Sequence, residues 1–502
     1  MAPAQREVSA RHGYAGVFLV VRGERPQVVG QLRDQLPGID NPGRVGPFGG
    51  SIEGVEEPRM AAWRELVQEE TNLFLQPEDL SLVQRDVAKR ELTAEWEERH
   101  VFAAAVGRAD LARLEVYEGG WAALDDPADP RLIDSYRGIV AGLLDPSKAP
   151  VPHDRLDLSR KLKQRSMRGD LEALARGELL PRPLVVDLDP TTFCDLGCPE
   201  CISGRVLNQG RFTAERLESL AGELAGAGVR AVVLIGGGEP LAHPGTSRVI
   251  EVLAAAGVAI GLVTNGTKID RHLRVLARHA TWVRVSMDAG TSATYRLFRP
   301  DRGGNSRFDD VVANMRQLAA VKTGSLGYSF LAMTRLGAAG EVEATNVAEI
   351  AQAAALARDI GCDYFELKAV FDQGHFIQAH PPQVLAELRV QLTRLESLAT
   401  PDFEVNYSST MAALLGGQPP DQPKEYTRCC AAELRTLVTP AGVYVCSYHR
   451  GNAAMRIGDV VDESFASMWQ RADRSVVNPS RDCRFHCARH PSNLLVSQLA
   501  GG

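Results

Sequence analysis

The segment Thr191-Thr192-Phe193-Cys194-Asp195-Leu196-Gly197-Cys198-Pro199-Glu200-Cys201 contains three closely spaced cysteines. It follows a short apolar run at residues 184–188, and its cysteines are separated by three and then two residues. Three thiolates on one short loop can bind three irons of a [4Fe–4S] cube and leave the fourth iron open. A structural zinc site needs a fourth ligand nearby. The pattern therefore predicts an iron–sulfur loop at the end of a strand.

Downstream of this segment, short apolar runs alternate with stretches of helical periodicity. The predicted strands are residues 184–188, 231–235, 259–264, 282–287, 326–333 and 364–370, and the predicted helices are residues 213–227, 245–256, 270–279, 307–321 and 346–360. Apolar strands joined by crossover helices indicate a parallel sheet. Six such units predict a partial TIM-type (β/α)6 barrel over residues 184–400, with its chemistry at the carboxyl ends of the strands.

The composition is that of an ordinary globular chain. Its 502 residues include 56 Lys and Arg against 63 Asp and Glu, a net charge of −7, with 44% hydrophobic residues. These values exclude collagen, disorder and disulfide-rich mini-proteins, and the mild acidity argues against nucleic acid as a partner. Because we find no apolar run of membrane length and no signal-peptide core, we expect a cytoplasmic protein that does not contact membranes.

The cysteine loop at the end of a barrel strand resembles that of the radical S-adenosylmethionine (SAM) superfamily. The resemblance implies a [4Fe–4S] cluster held by Cys194, Cys198 and Cys201, whose open iron binds the amino and carboxylate groups of SAM. An electron from the cluster then cleaves SAM to a 5′-deoxyadenosyl radical. One departure from the family pattern is Glu200, since many members have an aromatic residue before the third cysteine.

Further matches to this superfamily occur at the ends of the next three strands. They are Gly236-Gly237-Gly238-Glu239-Pro240, Thr264-Asn265-Gly266 and Ser286-Met287-Asp288. The resemblance implies that the glycine-rich segment approaches the methionine amino group of SAM, and glycine permits both a close approach and a positive φ. It implies likewise that Thr264, Asn265, Ser286 and Asp288 face the carboxylate and ribose of SAM.

A second group of cysteines occupies the C-terminal segment, residues 401–502. Cys429-Cys430 is followed by a predicted hairpin, by Cys446, and then by Cys483 and Cys487 with three residues between them. This order resembles the twitch or SPASM-type extension of radical SAM enzymes, a small α+β domain that holds an auxiliary [4Fe–4S] cluster. The number of cysteines fits one such cluster.

The sequence does not determine every ligand of this second site. Either Cys429 or Cys430 joins Cys446, Cys483 and Cys487, and we favour Cys430. The alternative is a structural zinc site made of the same cysteines with His486 or His490.

The N-terminal segment, residues 1–150, contains a second motif. Gly50, Glu56 and the segment 64–73, Arg-Glu-Leu-Val-Gln-Glu-Glu-Thr-Asn-Leu, resemble the Nudix box of an α/β/α sandwich. Glu65 and Glu69 are i, i+4 neighbours on one predicted helix face, where they are expected to bind Mg²⁺ and act in catalysis. Gln68 in place of a glutamate and one extra residue before Leu73 depart from the motif. The alternative is a glutamate-rich surface helix.

Proline-rich residues 145–152 and a connecting helix within residues 151–183 separate this segment from the barrel. Four further residues are ambiguous. We interpret Cys362 as a core residue, although a thiol hydrogen donor is the minority interpretation. Glu366, Lys368 and His375 either face the substrate or form salt bridges, and the salt bridges are favoured.

Taken with the resemblance, these features predict an oxidoreductase or lyase-type radical SAM enzyme with a fused Nudix domain. The expected substrate is a small molecule, nucleotide- or sugar-linked, that undergoes dehydrogenation or a related rearrangement, and a flavodoxin- or ferredoxin-like protein is the expected electron donor. The Nudix domain is expected to bind or hydrolyse a nucleoside diphosphate derivative. The alternatives are a maturase of a ribosomally made peptide and a nucleotide-sensing iron–sulfur protein without catalysis.

Overall fold

The computed structural model describes residues 12–501, apart from 22–25, 37, 55, 74, 76, 91, 94, 107–110, 112–113, 146–161, 163–166 and 401. The chain divides into two compact units, Met1–His153 with Leu392–Val405, and Asp154–Gln391 with Asn406–Gly502. The sequence predicts separate domains for residues 184–400 and 401–502. In the structure most residues of both segments belong to the second unit. Most of the predicted proline-rich linker and the first part of the connecting helix lie outside the described residues.

The N-terminal unit is built on a mixed sheet. Its strands are β1 (His12–Val21), β2 (Gln27–Leu32), β3 (Val45–Gly46), β4 (Phe48–Ser51), β5 (Ser81–Lys89), β6 (Trp96–Val106) and β7 (Gly120–Leu124). The main order is β3-β2-β1-β6-β5, with β4 paired to β1 and β7 to β2. Only the β1–β6 pair is parallel among the pairs described in this sheet.

Successive side chains of β1 point to opposite faces of this sheet, and a helix packs on each face. Val17 packs in a core with Ala61 and Ala62 of helix α1 (Pro58–Trp63). Phe18 packs in another core with Val140 of helix α2 (Arg137–Leu143).

The helix α1 continues as a π-helical turn, Arg64–Glu70. A π-helix closes i→i+5 hydrogen bonds and so takes up one extra residue. The extra residue that the sequence carries before Leu73 is therefore absorbed inside the helix. As a result Glu65 and Glu70 are buried, at 9% and 7% exposure, whereas the side chain of Glu69 is 54% exposed. Glu65 and Glu69 therefore lie on a π-helical turn rather than on the α-helix expected from the sequence, and both carboxylates pair with Arg64.

The C-terminal unit contains the predicted parallel strands. They are β8 (Val185–Leu188), β9 (Ala231–Leu234), β10 (Ala259–Thr264), β11 (Trp282–Ser286), β12 (Ser325–Ala332) and β15 (Tyr364–Ala369). Each is parallel to its neighbour, in the order β15-β12-β11-β10-β9-β8. Their carboxyl ends therefore meet at one edge of the sheet.

Helices connect these strands in the order that the sequence predicts. They are α4 (Ala214–Gly226), α5 (Thr246–Ala255), α6 (Ile269–His279), α7 (Ser292–Phe298), α8 (Phe308–Ala319) and α9 (Ile350–Ile360), and a further helix, α3 (Arg168–Ala175), precedes β8. The sequence does not predict the short helix α7 or the hairpin formed by β13 (Thr334–Leu336) and β14 (Val342–Thr345).

The C-terminal segment extends the same sheet. The helix α10 (Pro382–Glu396) precedes this segment, whose elements are β16 (Glu404–Tyr407), α11 (Ser409–Leu415), α12 (Ala431–Leu434), β17 (Arg435–Thr439), β18 (Gly442–Tyr444), β19 (Arg456–Gly458), α13 (Phe465–Arg471), α14 (Pro479–Asp482) and α15 (His490–Gly501). The strand β17 pairs in parallel with β8 and in antiparallel with β18, which is the predicted hairpin. In the part of the chain that is described, no helix is long and apolar enough to span a membrane.

Candidate active site

A cavity of about 560 Å³ lies at the carboxyl ends of the parallel strands. Its lining brings together the predicted cluster ligands and nearly all of the predicted SAM contacts: Cys194, Cys198, Cys201, Gly236, Gly237, Gly238, Glu239, Thr264, Asn265, Ser286 and Asp288. Pro240 does not belong to this lining and instead begins the turn Pro240–Ala242, where it is buried. Segments up to 94 residues apart in the sequence thus meet at one site.

The cysteine loop is anchored by Asp195. Its carboxylate accepts hydrogen bonds from Asn265 Nδ2 at 2.9 Å, Thr267 Oγ1 at 2.7 Å and Lys268 Nζ at 2.6 Å. Burial opposes ionisation of Asp195, but these donors lower its pKa overall. Asn265 Nδ2 also lies 3.8 Å from Cys194 Sγ. The end of β10 therefore holds the first cysteine in place.

The glycine-rich segment is fixed by close approach rather than by an unusual backbone. A Cβ atom on Gly238 would lie 2.4 Å from the carbonyl oxygen of Phe193, and one on Gly236 would lie 1.8 Å from the oxygen of Gly238. Neither residue has a positive φ, so of the two properties that glycine permits only the close approach is used here. The amide of Gly237 donates to Asp189 Oδ2 at 2.9 Å.

Glu239 connects the second and third parallel strands. Its carboxylate accepts from Thr264 Oγ1 at 2.6 Å, the Asn265 amide at 2.7 Å and the Leu241 amide at 3.0 Å. Burial raises the pKa of Glu239 to about 7, although these three donors oppose the shift. The carboxyl group thus fixes the ends of β9 and β10 relative to each other.

Asp288, after β11, adopts a strained conformation at the cavity. Its φ is 55°, a left-handed value that a residue other than glycine seldom adopts. Its carboxylate accepts from Arg299 Nη1 at 2.5 Å and from the Leu331 amide at 2.8 Å. Such strain persists only where the surroundings fix it, and it concentrates at functional sites.

Strand β15 supplies charged groups to the opposite wall. Buried Glu366 pairs with Arg284 at 3.0 Å and with Lys368 at 2.9 Å, and all three residues line the cavity. From the sequence, Glu366 and Lys368 are expected either to face the substrate or to form salt bridges. In the structure they form salt bridges and also line the cavity. His375 does not line this cavity; its ring contacts Tyr448 and Phe485.

Three arginines of the C-terminal segment complete the wall, and no sequence signal identifies them. Arg435 and Arg489 pair with Asp187 on β8, at 2.6 and 3.1 Å. Arg450 pairs with Asp189 at 2.7 Å. The two aspartates are fully buried, so these ion pairs attach the C-terminal segment to the first parallel strand.

The second group of thiols contains Cys429 and not Cys430. Burial, together with the nearby Cys487 and Cys446 thiols, raises the pKa of Cys429 to about 12. The pKa of the Cys483 thiol is also raised, first by burial and then by the nearby thiols of Cys446, Cys487 and Cys429. Cys430 points into a separate apolar cluster with Leu184, Leu434 and Val496. Because these adjacent residues just before α12 point in different directions, the structure groups Cys429, rather than the Cys430 favoured from the sequence, with the other thiols.

The histidine nearest to these thiols also differs from the sequence prediction. His449 Nε2 lies 3.5 Å from Cys483 Sγ. His486 bonds to Gln422 and Ser409, and His490 to Tyr426. Cys362, which is 4% exposed, is absent from the described cavity lining and fits the core interpretation.

In the N-terminal unit, Arg64 gathers the carboxylates of the predicted Nudix box. It pairs with Glu56 at 3.2 Å, with Glu65 at 2.9 Å and with Glu69 at 2.6 Å. Burial and the neighbouring charges of Glu65 and Glu118 raise the pKa of Glu70 to about 8. Glu70 also accepts a hydrogen bond from Gln31. The sequence did not single out Glu70.

The residues at the cavity suit a cluster with one open iron. Three thiols on a loop fixed by Asp195 and the adjacent glycine-rich backbone line one cavity, which is large enough for a small ligand. Without Cys430, the four remaining thiols of the C-terminal segment equal the number that closes a second cluster. Among the described residues, no three His, Cys, Asp or Glu side chains stand in positions to share a single metal ion.

Comparison with known proteins locates the matching region. Residues 188–332 match the family model described as the radical SAM superfamily. Over 124 residues the chain is 33% identical to the GTP 3′,8-cyclase of Caulobacter vibrioides, covering 23% of this chain and 35% of that protein. It is 26% identical over 129 residues to the AdoMet-dependent heme synthase of Methanosarcina barkeri, covering 25% of this chain and 37% of that protein. The chain thus spans about a third of the length of these relatives.

Solved structures that superpose on this chain include SuiB of Streptococcus suis bound to precursor peptide SuiA, with a TM-score of 0.46 and 15% sequence identity. That superposition covers 62% of this chain and 70% of SuiB. The family match begins at Leu188, the last residue of β8, and ends at Ala332, the last residue of β12. Residues 188–332 of this chain are thus similar to the radical SAM superfamily domain.

Proposed function

We propose that this protein is a radical SAM enzyme that acts on a small molecule and carries an auxiliary cluster. The observation that supports the proposal is the convergence of Cys194, Cys198 and Cys201 with the glycine-rich segment on one cavity. When bound, a [4Fe–4S] cluster with an open iron supplies the electron that cleaves SAM to a 5′-deoxyadenosyl radical.

The chain's own residues orient the ligand and exclude water. The Gly236–Gly238 backbone offers a surface without side chains to the methionine end of SAM. Glu239, Thr264 and Asn265 hold that surface against the cysteine loop through the hydrogen bonds given above. Ser286 and Asp288, on the next strand end, are the polar groups proposed for the ribose and carboxylate.

The substrate is proposed to lie against the wall formed by β15 and the C-terminal arginines. Lys368 and Arg284 carry positive charge there, and Arg435, Arg450 and Arg489 are held by buried aspartates. The proposed auxiliary ligands are Cys429, Cys446, Cys483 and Cys487. A cluster at that position would accept the electron left on a substrate radical, which favours dehydrogenation or a related oxidation.

For the N-terminal unit we propose binding or hydrolysis of a nucleoside diphosphate derivative with Mg²⁺. The support is the Nudix-like segment and the buried pair Glu65 and Glu70, since carboxylate oxygens are preferred ligands of Mg²⁺. Release of a nucleoside monophosphate from a panel of nucleoside diphosphate derivatives, with and without Mg²⁺, tests hydrolysis. Loss of that release in Glu65→Gln supports the proposal, and no release from any compound limits the unit to binding.

Binding of SAM at the open iron is tested by electron paramagnetic resonance of the reduced, cluster-loaded chain. We expect SAM to change the spectrum of the first cluster in the unmodified protein and in the control Cys362→Ala. In Cys198→Ala the SAM-dependent change is expected to disappear. A fully loaded first cluster whose spectrum is the same with and without SAM would contradict the proposed function.

A further inference from the structure

Arg435 enters the cavity wall well below the strand ends that carry the cysteine loop and the proposed SAM contacts. It is the first residue of β17 and pairs with Val185 at the start of β8, whereas Val438 pairs with Leu188 at the carboxyl end of β8. Three residues of a strand span about 10 Å, so the Arg435 backbone lies about that far below this edge. Its side chain is 27% exposed and lines the cavity. The guanidinium therefore offers an open surface to a ligand at the deep end.

The hydrogen bonds of Arg435 leave one of its nitrogens unused. Nε and Nη2 donate to the Asp187 carboxylate, at 3.1 and 2.6 Å. Within the described part of the chain Nη1 has no hydrogen-bond partner, and it is not shielded from solvent. The structural arginine of the same segment, Arg474, differs. It is 4% exposed and pairs with Glu433, and its Nη1 donates to two backbone carbonyls at 2.7 and 3.1 Å.

The positive charge of Arg435 is incompletely balanced, because Asp187 also accepts from Arg489 Nη2 at 3.1 Å. Burial opposes ionisation of Asp187, but the two arginines lower its pKa overall, so it supplies one negative charge to two guanidiniums. Arg489 has a further neighbour in Cys446, whose thiol is anionic when it binds a metal. For Arg435, Asp187 is the one paired carboxylate among the described residues.

A cation with an unused N–H group in a cavity is suited to an anionic ligand. Guanidinium groups bind carboxylate and phosphate, and such charge-assisted hydrogen bonds are roughly twice as strong as neutral ones. SAM does not supply the missing negative charge, because its sulfonium and ammonium outweigh its single carboxylate. The proposed function also places that carboxylate at the strand ends. The anionic group at Arg435 must therefore belong to the second ligand of the cavity, the substrate.

We propose that the substrate carries a carboxylate or phosphate group that binds Nη1 of Arg435 at the deep end of the cavity. This inference rests on the proposed function, because it takes SAM as the ligand of the cysteine loop. It narrows the substrate to an anionic small molecule. Arg435 is then a residue that determines substrate specificity and does not contact SAM.

Small anions test this site without knowledge of the whole substrate. The probes are inorganic phosphate, malonate and malonamide, the neutral analogue of malonate. Their dissociation constants are measured by calorimetry at constant ionic strength on the full, cluster-loaded, oxidised chain saturated with SAM. SAM occupies the open iron, to which malonate would otherwise bind. We expect at least one anion to bind tenfold or more tightly than malonamide, and the tighter anion distinguishes a phosphate group from a carboxylate.

Variants at position 435 connect this binding to the arginine. Arg435→Met should weaken binding of the tighter anion at least tenfold. It leaves Asp187 paired with Arg489, so iron content and the SAM-dependent change of the first cluster's spectrum should persist. Arg435→Lys keeps the charge and should bind the anion more tightly than Arg435→Met. The control Arg316→Met removes an exposed charge from α8 and should bind the anion like the unmodified protein.

Two results overturn the inference and leave the proposed function standing. The first is that neither anion binds the unmodified protein more tightly than malonamide, which is decisive whatever the fold of the variants. The second is that Arg435→Met binds the anion as tightly as the unmodified protein, or loses the SAM-dependent spectral change at full iron content. An unmodified, fully loaded protein whose spectrum does not respond to SAM overturns the proposed function itself.

Discussion

Arg450 Nε donates a hydrogen bond of 2.7 Å to Oδ2 of Asp189, a fully buried carboxylate beyond the end of the first parallel strand. Arg450 comes four residues after Cys446, so this contact attaches the second thiol group to the strand that carries the first. Removing one partner of a buried ion pair leaves a charge without compensation. The contact is therefore expected to be important for stability as well as for the shape of the cavity.

The first prediction concerns this ion pair. Arg450→Met should lower the free energy of unfolding of the C-terminal unit by roughly 3–5 kcal/mol at pH 7. Burial already raises the pKa of Asp189, and loss of Arg450 should raise it further. The decrease in the free energy of unfolding should therefore be smaller at pH 5, where more of the Asp189 carboxyl is protonated and neutral. Calorimetric unfolding of the full chain at both pH values measures it.

The matched control is Arg471→Met. The Arg471 side chain is 68% exposed and pairs with Glu463 at the surface. Solvent screens a surface pair, which therefore contributes little to stability, so its loss should have a small effect at both pH values. An effect of Arg450→Met no larger than that of the control would contradict the role given to the buried pair.

The second prediction separates two adjacent cysteines. Cys429→Ala should lose about four irons per chain, because it removes one ligand of the proposed second cluster. Cys430→Ala should keep its iron and lose only packing, since Cys430 lies among leucine and valine side chains. Iron and sulfide analysis after anaerobic reconstitution distinguishes the two. Loss of iron in Cys430→Ala but not in Cys429→Ala would identify Cys430 as the ligand instead.

The third prediction uses the glycine-rich segment. Gly238→Ala would bring a Cβ to 2.4 Å from the carbonyl of Phe193, so the cysteine loop must move. We expect about half of the iron to be lost, from the first site only. Gly237→Ala is the control, because its Cβ would lie 3.3 Å from Asp189 Oδ2, its nearest neighbour. Equal iron content in the two variants would show that the close approach does not position the loop.

The fourth prediction gives the pH dependence of Mg²⁺ binding by the N-terminal unit. Burial raises the pKa of Glu70 from 4.5 to about 8, so its carboxyl is largely protonated at pH 6.5. A metal ligand must be deprotonated, and Mg²⁺ binding should therefore strengthen between pH 6.5 and pH 8.5 with release of a proton. Calorimetry at both pH values measures this change.

Glu70→Gln should weaken Mg²⁺ binding and remove most of this pH dependence. Glu95→Gln, an exposed residue between β5 and β6, is the control and should leave both unchanged. Equal Mg²⁺ affinity of the unmodified protein at pH 6.5 and pH 8.5 would contradict a role for Glu70.

Local patterns predicted the parallel sheet and most of its site. The strand β10 lies at residues 259–264 as expected, and the other strands differ by one or two residues. The reason is that buried parallel strands and crossover helices each leave a periodic apolar pattern. Because the carboxyl ends of parallel strands meet at one edge, the cysteine loop and the next strand ends could be placed together.

The rest depends on contacts that local sequence does not encode. Glu200 and Arg335 are 135 residues apart, and β17 pairs with β8 across about 250 residues. The choice between Cys429 and Cys430 depends on the backbone direction before α12. Glu70 turns inward only because the π-helical turn takes up one extra residue, which an α-helical period conceals.

The central claim is that the cavity cleaves SAM, and the most direct measurement is the yield of 5′-deoxyadenosine from the reduced, cluster-loaded full chain. We predict formation of 5′-deoxyadenosine in the presence of SAM and a strong reductant, and its loss in Cys194→Ala, Cys198→Ala and Cys201→Ala. Cys362→Ala, a change in the core, should keep the activity. Absence of 5′-deoxyadenosine from protein whose first cluster is fully loaded and reduced would contradict the account.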